Sequence, residues 1–196
     1  MITKNHLITR DIDLLSELAK FDAAHAAVSI TTLDPKLAAK MEPRASSPSD
    51  RLRAIRELSS AGIPTTVMVA PVIPGLTDQE MPSILQAAAE HGANSAGWVL
   101  LRLPYQIKAL FLDWLQRNFP EKAGRIEHLI RETRDGKLYQ SKWRERQRGK
   151  GEQAKLIGQM FRMYKKRFGL DKPIRDLSSA AFRPPVLDGQ LGLFQQ

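Results

Sequence analysis

The sequence predicts an α/β protein whose parallel strands are joined by crossover helices. One observation is the stretch AGIPTTVMVAPVIPGLTDQE at residues 61–80. A helix-ending Gly62 is followed there by the β-branched apolar run 65–69, a Pro-rich exit at 71–75 and a fresh helix start at 77–80. An apolar run without polar alternation, framed by helices, reads as a parallel strand covered on both faces. The other observation is that strand and helix alternate as far as Pro104 and then give way to helices alone. Such an order implies right-handed crossovers; periodicity leaves open a doubly wound sheet or part of a barrel.

Taken in order, Ile2-Thr3-Lys4-Asn5 reads as the end of a strand whose beginning is missing. Ile12, Leu15, Leu18 and Phe21 recur every third residue and predict an amphipathic helix over 11–21, starting near Thr9 or Asp11. Residues 25–31 are a short strand. Residues 32–49 read as a long polar exit that turns at Leu33-Asp34-Pro35 and is interrupted by Glu42-Pro43-Arg44. Loops of that length in a compact domain are often functional. Ser49 is expected to cap a helix whose stripe is Leu52, Ile55 and Leu58 and whose stop is Gly62. After the strand at 65–69 comes a helix over 78–91 with Met81, Ile84, Leu85 and Ala88 inward, then a buried strand at 95–103.

Beyond Pro104, Ile107, Leu110, Phe111, Trp114 and Leu115 form an apolar stripe at helical spacing, read as core and not as a base-stacking platform. Pro120 opens a helix carrying Ile126, Leu129 and Ile130. A basic loop at 137–151 leads to a helix ending near Phe168, and an irregular tail finishes in an apolar segment at 190–194 expected to dock on the body. The expected organisation is thus 1–104 as the strand-and-helix part, 105–168 as a helical extension and 169–196 as a tail.

Cysteine is absent from the 196 residues. That excludes disulfides, thiolate-held zinc and a cysteine-held iron–sulfur cluster built from these residues alone. No apolar run approaches the length of a membrane span, and the start lacks the layout of a signal peptide, so a cytoplasmic protein without membrane contact is expected. The formal net charge of +9 is concentrated in the block 137–150, where Glu145 is the one acid, and in 162–167. Such a block suits nucleic acid or another polyanion, with a solvated basic surface as the plain alternative; Lys142, Arg144, Arg146, Arg148 and Lys150 are the candidate contacts.

The four histidines have no metal-ligand spacing, and no metal site is expected in this chain. A phosphate-cradling Gly-rich loop and a nucleophile elbow are also missing from the sequence. What remains is a set of polar groups at the exits of the parallel strands: Thr3, Lys4 and Asn5, then Ser29, Thr31 and Thr32, then the 71–75 loop, then Arg102. Ligands of α/β folds bind at that end, and small hydroxyls with a Lys and one or two Arg suit a ligand bearing a carboxylate, hydroxyls and a flat ring.

The succession Thr3-Lys4-Asn5, Val28-Ser29-Ile30-Thr31-Thr32-Leu33-Asp34, Glu42-Pro43-Arg44, Arg51-Leu52-Arg53-Ala54-Ile55 and Pro71-Val72-Ile73-Pro74-Gly75-Leu76-Thr77-Asp78-Gln79-Glu80 resembles the C-terminal half of radical SAM proteins of the spore photoproduct lyase-like, "DNA repair photolyase" group. Arg102-Leu103-Pro104, Phe111-Leu112-Asp113-Trp114-Leu115, the 146–151 loop and the 190–194 tail extend the resemblance along the chain.

The resemblance implies a partial (β/α)6 barrel in which S-adenosylmethionine lies across the strand ends and a [4Fe-4S] cluster cleaves it to a 5'-deoxyadenosyl radical. By the same analogy Lys4 and Ser29, with Thr31 beside them, bind the methionine part. Arg44 steadies its carboxylate or the loop carrying it, Ile73, Pro74 and Gly75 flank the ribose and adenine, and Arg102 points toward the substrate mouth. Members of the family hold the cluster in a CxxxCxxC loop, and these residues contain no cysteine. The chain is therefore expected to be the C-terminal portion of such an enzyme and inactive alone. The alternative is a non-enzymatic module that binds nucleic acid, or a scaffold that self-associates through an open barrel edge.

Overall fold

The computed structural model describes residues 1–142 and 145–184. Strands β1 (Ile2–Thr3), β2 (Ala26–Ile30), β3 (Thr65–Val72) and β4 (Ser95–Leu100) form one parallel sheet in sequence order. Val28 lies opposite Val67, and Val67 opposite Ala96. The register shifts between Val69 and Val72.

A 3-10 turn (His6–Asp11) and α1 (Ile12–Ala19) connect β1 to β2. Helices α2 (Pro35–Met41) and α3 (Pro48–Ser60) connect β2 to β3, and α4 (Met81–Glu90) connects β3 to β4. Then follow α5 (Ile107–Asn118), α6 (Pro120–Glu132), α7 (Glu145–Arg148) and α8 (Gly151–Arg167). The expected class, an α/β partial barrel followed by helices, is the observed one.

Burial alternates along the strands. Val28, Ile30, Val67, Val69, Trp98 and Leu100 are buried, whereas Ala27, Met68, Ala70, Gly97 and Val99 are half-buried. Helices α3, α4 and α8 pack on the sheet, and the buried set forms one core with Ile55, Leu58, Ile84, Leu85 and Phe161 from those helices. Each such side chain contributes about 1.5–3 kcal/mol when fully buried. The expectation of a strand covered on both faces holds in part for β3, whose second face is buried at Thr66 and half-buried at Met68 and Ala70. Its second face carries small or flexible side chains: a Cβ on Gly97 would come within 2.6 Å of Met68 Sδ, so Met68 lies down on the β4 backbone.

Other expectations need correction. The long exit at 32–49 contains α2, because Asp34 accepts a hydrogen bond from the Lys36 amide and Pro35 occupies the first turn, where its missing N–H costs nothing. Ser47, not Ser49, caps α3: its hydroxyl accepts from the Asp50 amide, with Pro48 in the first turn. Of the stripe assigned to the first helix only Leu15 is buried; Leu14, Leu18 and Phe21 are exposed. In α5 Leu115 is buried while Ile107 and Leu110 are exposed. The tail at 190–194 lies outside the described residues. Nearer the body, Leu170 is buried, and the Ser178 amide donates to the Asp22 carbonyl at 3.0 Å.

A second apolar cluster sits at the strand exits. Ile73 and Leu103, from the segments leaving β3 and β4, pack with Leu115 of α5 and with Ala123, Ile126 and Ile130 of α6. The helices beyond residue 104 thus roof the end of the sheet where the candidate polar groups converge.

Candidate functional site

Glu42, at the end of α2, is the centre of the strand exits. Its Oε1 pairs with Lys4 Nζ just past β1 and accepts from Thr31 Oγ1, just past β2, at 3.0 Å; its Oε2 accepts from Arg51 Nη2 of α3 at 2.6 Å. Arg51 is 2 % exposed and also donates to the Ser29 carbonyl at 3.0 Å and the Ser46 carbonyl at 2.8 Å. Thr31 Oγ1 is also 3.0 Å from the Ala70 carbonyl in β3. Burial pushes the Glu42 carboxyl up, but hydrogen bonds from Lys4 and Arg51 outweigh it and hold the group below its ordinary value. One carboxylate thereby ties the ends of β1 and β2 to two helices, with Thr31 lying between it and β3.

Glu80 makes a second tie. Its carboxylate accepts from Thr32 Oγ1 at 2.6 Å and from the Leu33 amide at 2.8 Å, joining the β2 exit to the turn before α4. The β3 exit is closed internally: the Ile73 amide donates to Thr77 Oγ1 at 3.0 Å and the Gly75 amide to Asp78 Oδ1 at 2.9 Å. Burial pushes the Asp78 carboxyl above its ordinary value, against the backbone amides that face it.

Two clefts open beside Glu42. One, of about 390 Å3, is lined by Lys4, Asn5, Glu42, Pro43, Arg44 and Ala45. The other, of about 380 Å3, is apolar and aromatic: Met41, Ile73, Phe111 and Trp114 line it with Pro71 and Leu101, and Glu42 is its acidic edge. Phe111 and Trp114 are stacked at 5.8 Å between ring centroids.

The structure therefore brings Lys4, Arg44 and Ile73 onto these clefts and places Thr31 behind them on Glu42, while Ser29 is buried and meets the site through its carbonyl on Arg51. Pro74 and Gly75 pack elsewhere. Pro74 is buried, and Gly75, at φ +77°, faces α6 so closely that a Cβ would lie 2.7 Å from Leu129 Cδ1. Arg102 lines neither cleft. It lies near Arg134, a side chain 1 % exposed whose guanidinium donates to the Glu145 and Leu101 carbonyls. Burial, then the neighbouring Arg102, lowers the pKa of Arg134. Of the basic-loop residues, Lys142 is exposed, Arg148 lies 4.6 Å over the Trp98 ring, and Lys150 pairs with Glu145 at 3.1 Å. Arg146 belongs to α7, and Arg144 lies outside the described residues.

Sequence reasoning did not single out Glu42, Arg51 or Glu80 as functional. Arg51 had a signal: it falls one turn before Ile55 and two before Leu58, on the buried stripe of α3, where a charge must find a partner.

With this geometry established, comparison with known proteins says what the chain is similar to. Residues 1–88 match the radical SAM superfamily. The matched segment holds β1 to β3, the Glu42 hub and both ties of the β2 exit. The chain is also similar to the uncharacterized protein Rv2578c of Mycobacterium tuberculosis, 35 % identical over 133 residues, which are 67 % of this chain and 39 % of that protein. The uncharacterized protein Mb2609c of Mycobacterium bovis matches to the same extent. The uncharacterized protein ORF301 of Acidianus two-tailed virus is 43 % identical over 72 residues, 37 % of this chain and 23 % of its own length. The chain spans about two fifths of the mycobacterial relatives it matches.

A [4Fe-4S] cluster does not fit these residues, because they offer no thiolate. Among the described residues no group of three or more His, Asp or Glu side chains is placed to hold a metal ion. S-adenosylmethionine does suit the donor set: two cations in one cleft and an aromatic cleft beside it. No described helix is long and apolar enough to cross a membrane.

Proposed function

We propose that this chain forms the S-adenosylmethionine-binding wall of a radical SAM enzyme of the spore photoproduct lyase-like group, the cluster thiolates coming from residues outside these 196. The observation that carries the reading is the pair of clefts at the strand exits, cationic on one side and aromatic on the other, sharing the Glu42 wall. Lys4 has three donors and gives one to Glu42; the other two are free to meet a carboxylate. Arg44 supplies a second, exposed cation on the same cleft. Phe111, Trp114 and Ile73 offer a dry surface to a flat ring. S-adenosylmethionine, when bound, supplies the carbon radical of this family, and the residues here bind and orient it.

Titrating S-adenosylmethionine calorimetrically into the 196-residue chain tests this. The expected result is saturable binding that Lys4→Met weakens about tenfold, the loss of one charge-assisted contact. Binding indifferent to both Lys4→Met and Arg44→Ala rejects the assignment. Anaerobic iron–sulfur reconstitution is expected to leave this chain colourless, without formation of 5'-deoxyadenosine, and a chain extended to include a CxxxCxxC loop is expected to give both.

A further inference from the structure

A larger cleft lies on neither side of Glu42. It measures about 920 Å3 and runs along the flank of α8 beside Trp98 of β4, lined by Arg148, Lys150, Lys155 and Arg162, with Asp135 the one carboxylate in its wall. Lys150 is paired with Glu145 and Asp135, and Lys155 with Glu152. Arg148 and Arg162 have no ion pair among the described residues. Arg148 rests on the Trp98 ring at 4.6 Å, and burial lowers its pKa with no acid opposing.

The recess is built with glycine. Gly149, at φ +73°, lets the loop pass so close to the body that a Cβ would meet Leu100 Cδ1 at 2.7 Å and the Thr133 carbonyl at 2.8 Å. Gly158 is different. It sits in the middle of α8, where glycine costs about 1 kcal/mol relative to alanine, yet a Cβ there would meet Trp98 and Arg162 only at 3.6 and 3.7 Å, ordinary contact distances. A Cβ would fit at that point, so no contact requires glycine there; glycine leaves the floor of the cleft more open.

We propose that this cleft binds the phosphodiester backbone of a single nucleic-acid strand. From Lys150 to Arg162 the helix advances about 18 Å at ~1.5 Å per residue, too far for one phosphate to span. Phosphates recur at roughly 3.4 Å of axis per strand, so several meet the row. Guanidinium forks suit phosphate oxygens, and a recess of this size admits one strand where a duplex would touch only the rim. Trp98 is 6 % exposed and covered by Arg148, so among the described residues of the cleft no aromatic face is offered for base stacking, and the backbone contact is independent of sequence. The site differs from a simple basic loop: Lys142 and Arg146 do not line it, and Lys155 and Arg162 of α8 do. It does not depend on the radical SAM reading, since it needs neither S-adenosylmethionine nor cluster.

The test is fluorescence anisotropy of a labelled oligothymidylate with the 196-residue chain across a salt series. The Arg148→Gln/Arg162→Gln double variant is expected to bind at least about tenfold more weakly and to lower the slope of log affinity against log salt by about 1.4, two contacts at ~0.7 each. Lys20→Gln/Lys36→Gln, on other helices, is expected to keep the slope, and circular dichroism checks that both variants fold. An unchanged slope in the cleft variant overturns the proposal. So does equal affinity for a duplex or for polyglutamate, or displacement of the strand by stoichiometric pyrophosphate, which would make the cleft a site for a small phosphorylated ligand.

Discussion

Glu42 illustrates how one side chain can set the character of a site. Replacing it with glutamine removes the negative charge that opposes the buried Arg51 guanidinium, whose other acceptors are the neutral Ser29 and Ser46 carbonyls. Breaking a buried pair from one side typically costs about 3 kcal/mol or more, so Glu42→Gln is expected to lower the denaturant midpoint by a corresponding amount at neutral pH. The pH dependence has a definite sign. Because the folded-state pKa of Glu42 lies below its unfolded value, its contribution is present above the unfolded value, near 4.3, and is lost as pH falls through the folded one. Wild-type stability should therefore drop on acidification over a range in which Glu42→Gln changes less; parallel curves would show that the pair contributes nothing.

Asp78 has the opposite sign. Its pKa is raised, so its ionisation opposes folding as pH rises from the unfolded value through the folded one. Asparagine keeps the oxygen that accepts from Gly75 without the charge. Asp78→Asn is expected to be neutral or stabilising by up to about 1 kcal/mol at pH 7, measured by thermal unfolding at pH 5 and pH 7, with the gain larger at the higher pH.

At the scale of the element, α2 carries the site. It is only seven residues long, below the length at which a helix holds itself together, and it delivers Glu42 from its C-terminal end. Its start depends on the Asp34 cap. Asp34→Ala should cost about 1 kcal/mol and raise hydrogen exchange across 35–42 while leaving the β3 core protected. Equal protection in both proteins would show that the Glu42 contacts alone hold the helix. Asp34-Pro35 has the residue types of a helix start as well as those of a turn, and reading it as a turn hid α2. The Pro48 position likewise identifies Ser47 as the α3 cap, although Ser49 looks equally suitable in isolation. By contrast, the run at 65–69 and the stripe of α4 were legible, since their periodicity is local.

At the scale of the whole molecule, the second face of the sheet escaped sequence reasoning. Ala27, Met68, Ala70, Gly97 and Val99 are as apolar as core residues, and only the number of layers around them decides whether they are covered. The same holds for the Glu42–Arg51 pair, whose partners are distant in sequence from Lys4 and Thr31. The β1 edge is open too, with Met1, Ile2, Leu7, Leu14 and Leu18 exposed nearby. Exposed strand edges beside apolar surface favour association, so sedimentation of the 196-residue chain should show concentration-dependent self-association, and Ile2→Lys should shift it toward monomer. A chain that is monomeric throughout the concentration series would remove this expectation.

The shared wall between the two clefts has a thermodynamic consequence. A group that takes hydrogen bonds from Lys4 in the cationic cleft alters how tightly Lys4 holds Glu42, and Glu42 is also the acidic edge of the aromatic cleft. Occupancy of either space thus changes the free energy of filling the other, and by linkage the effect is equal in both directions. A methionine-like fragment and an adenosine-like fragment added together should therefore bind with affinities that depart from the product of their separate values, and the departure would be abolished in Glu42→Gln.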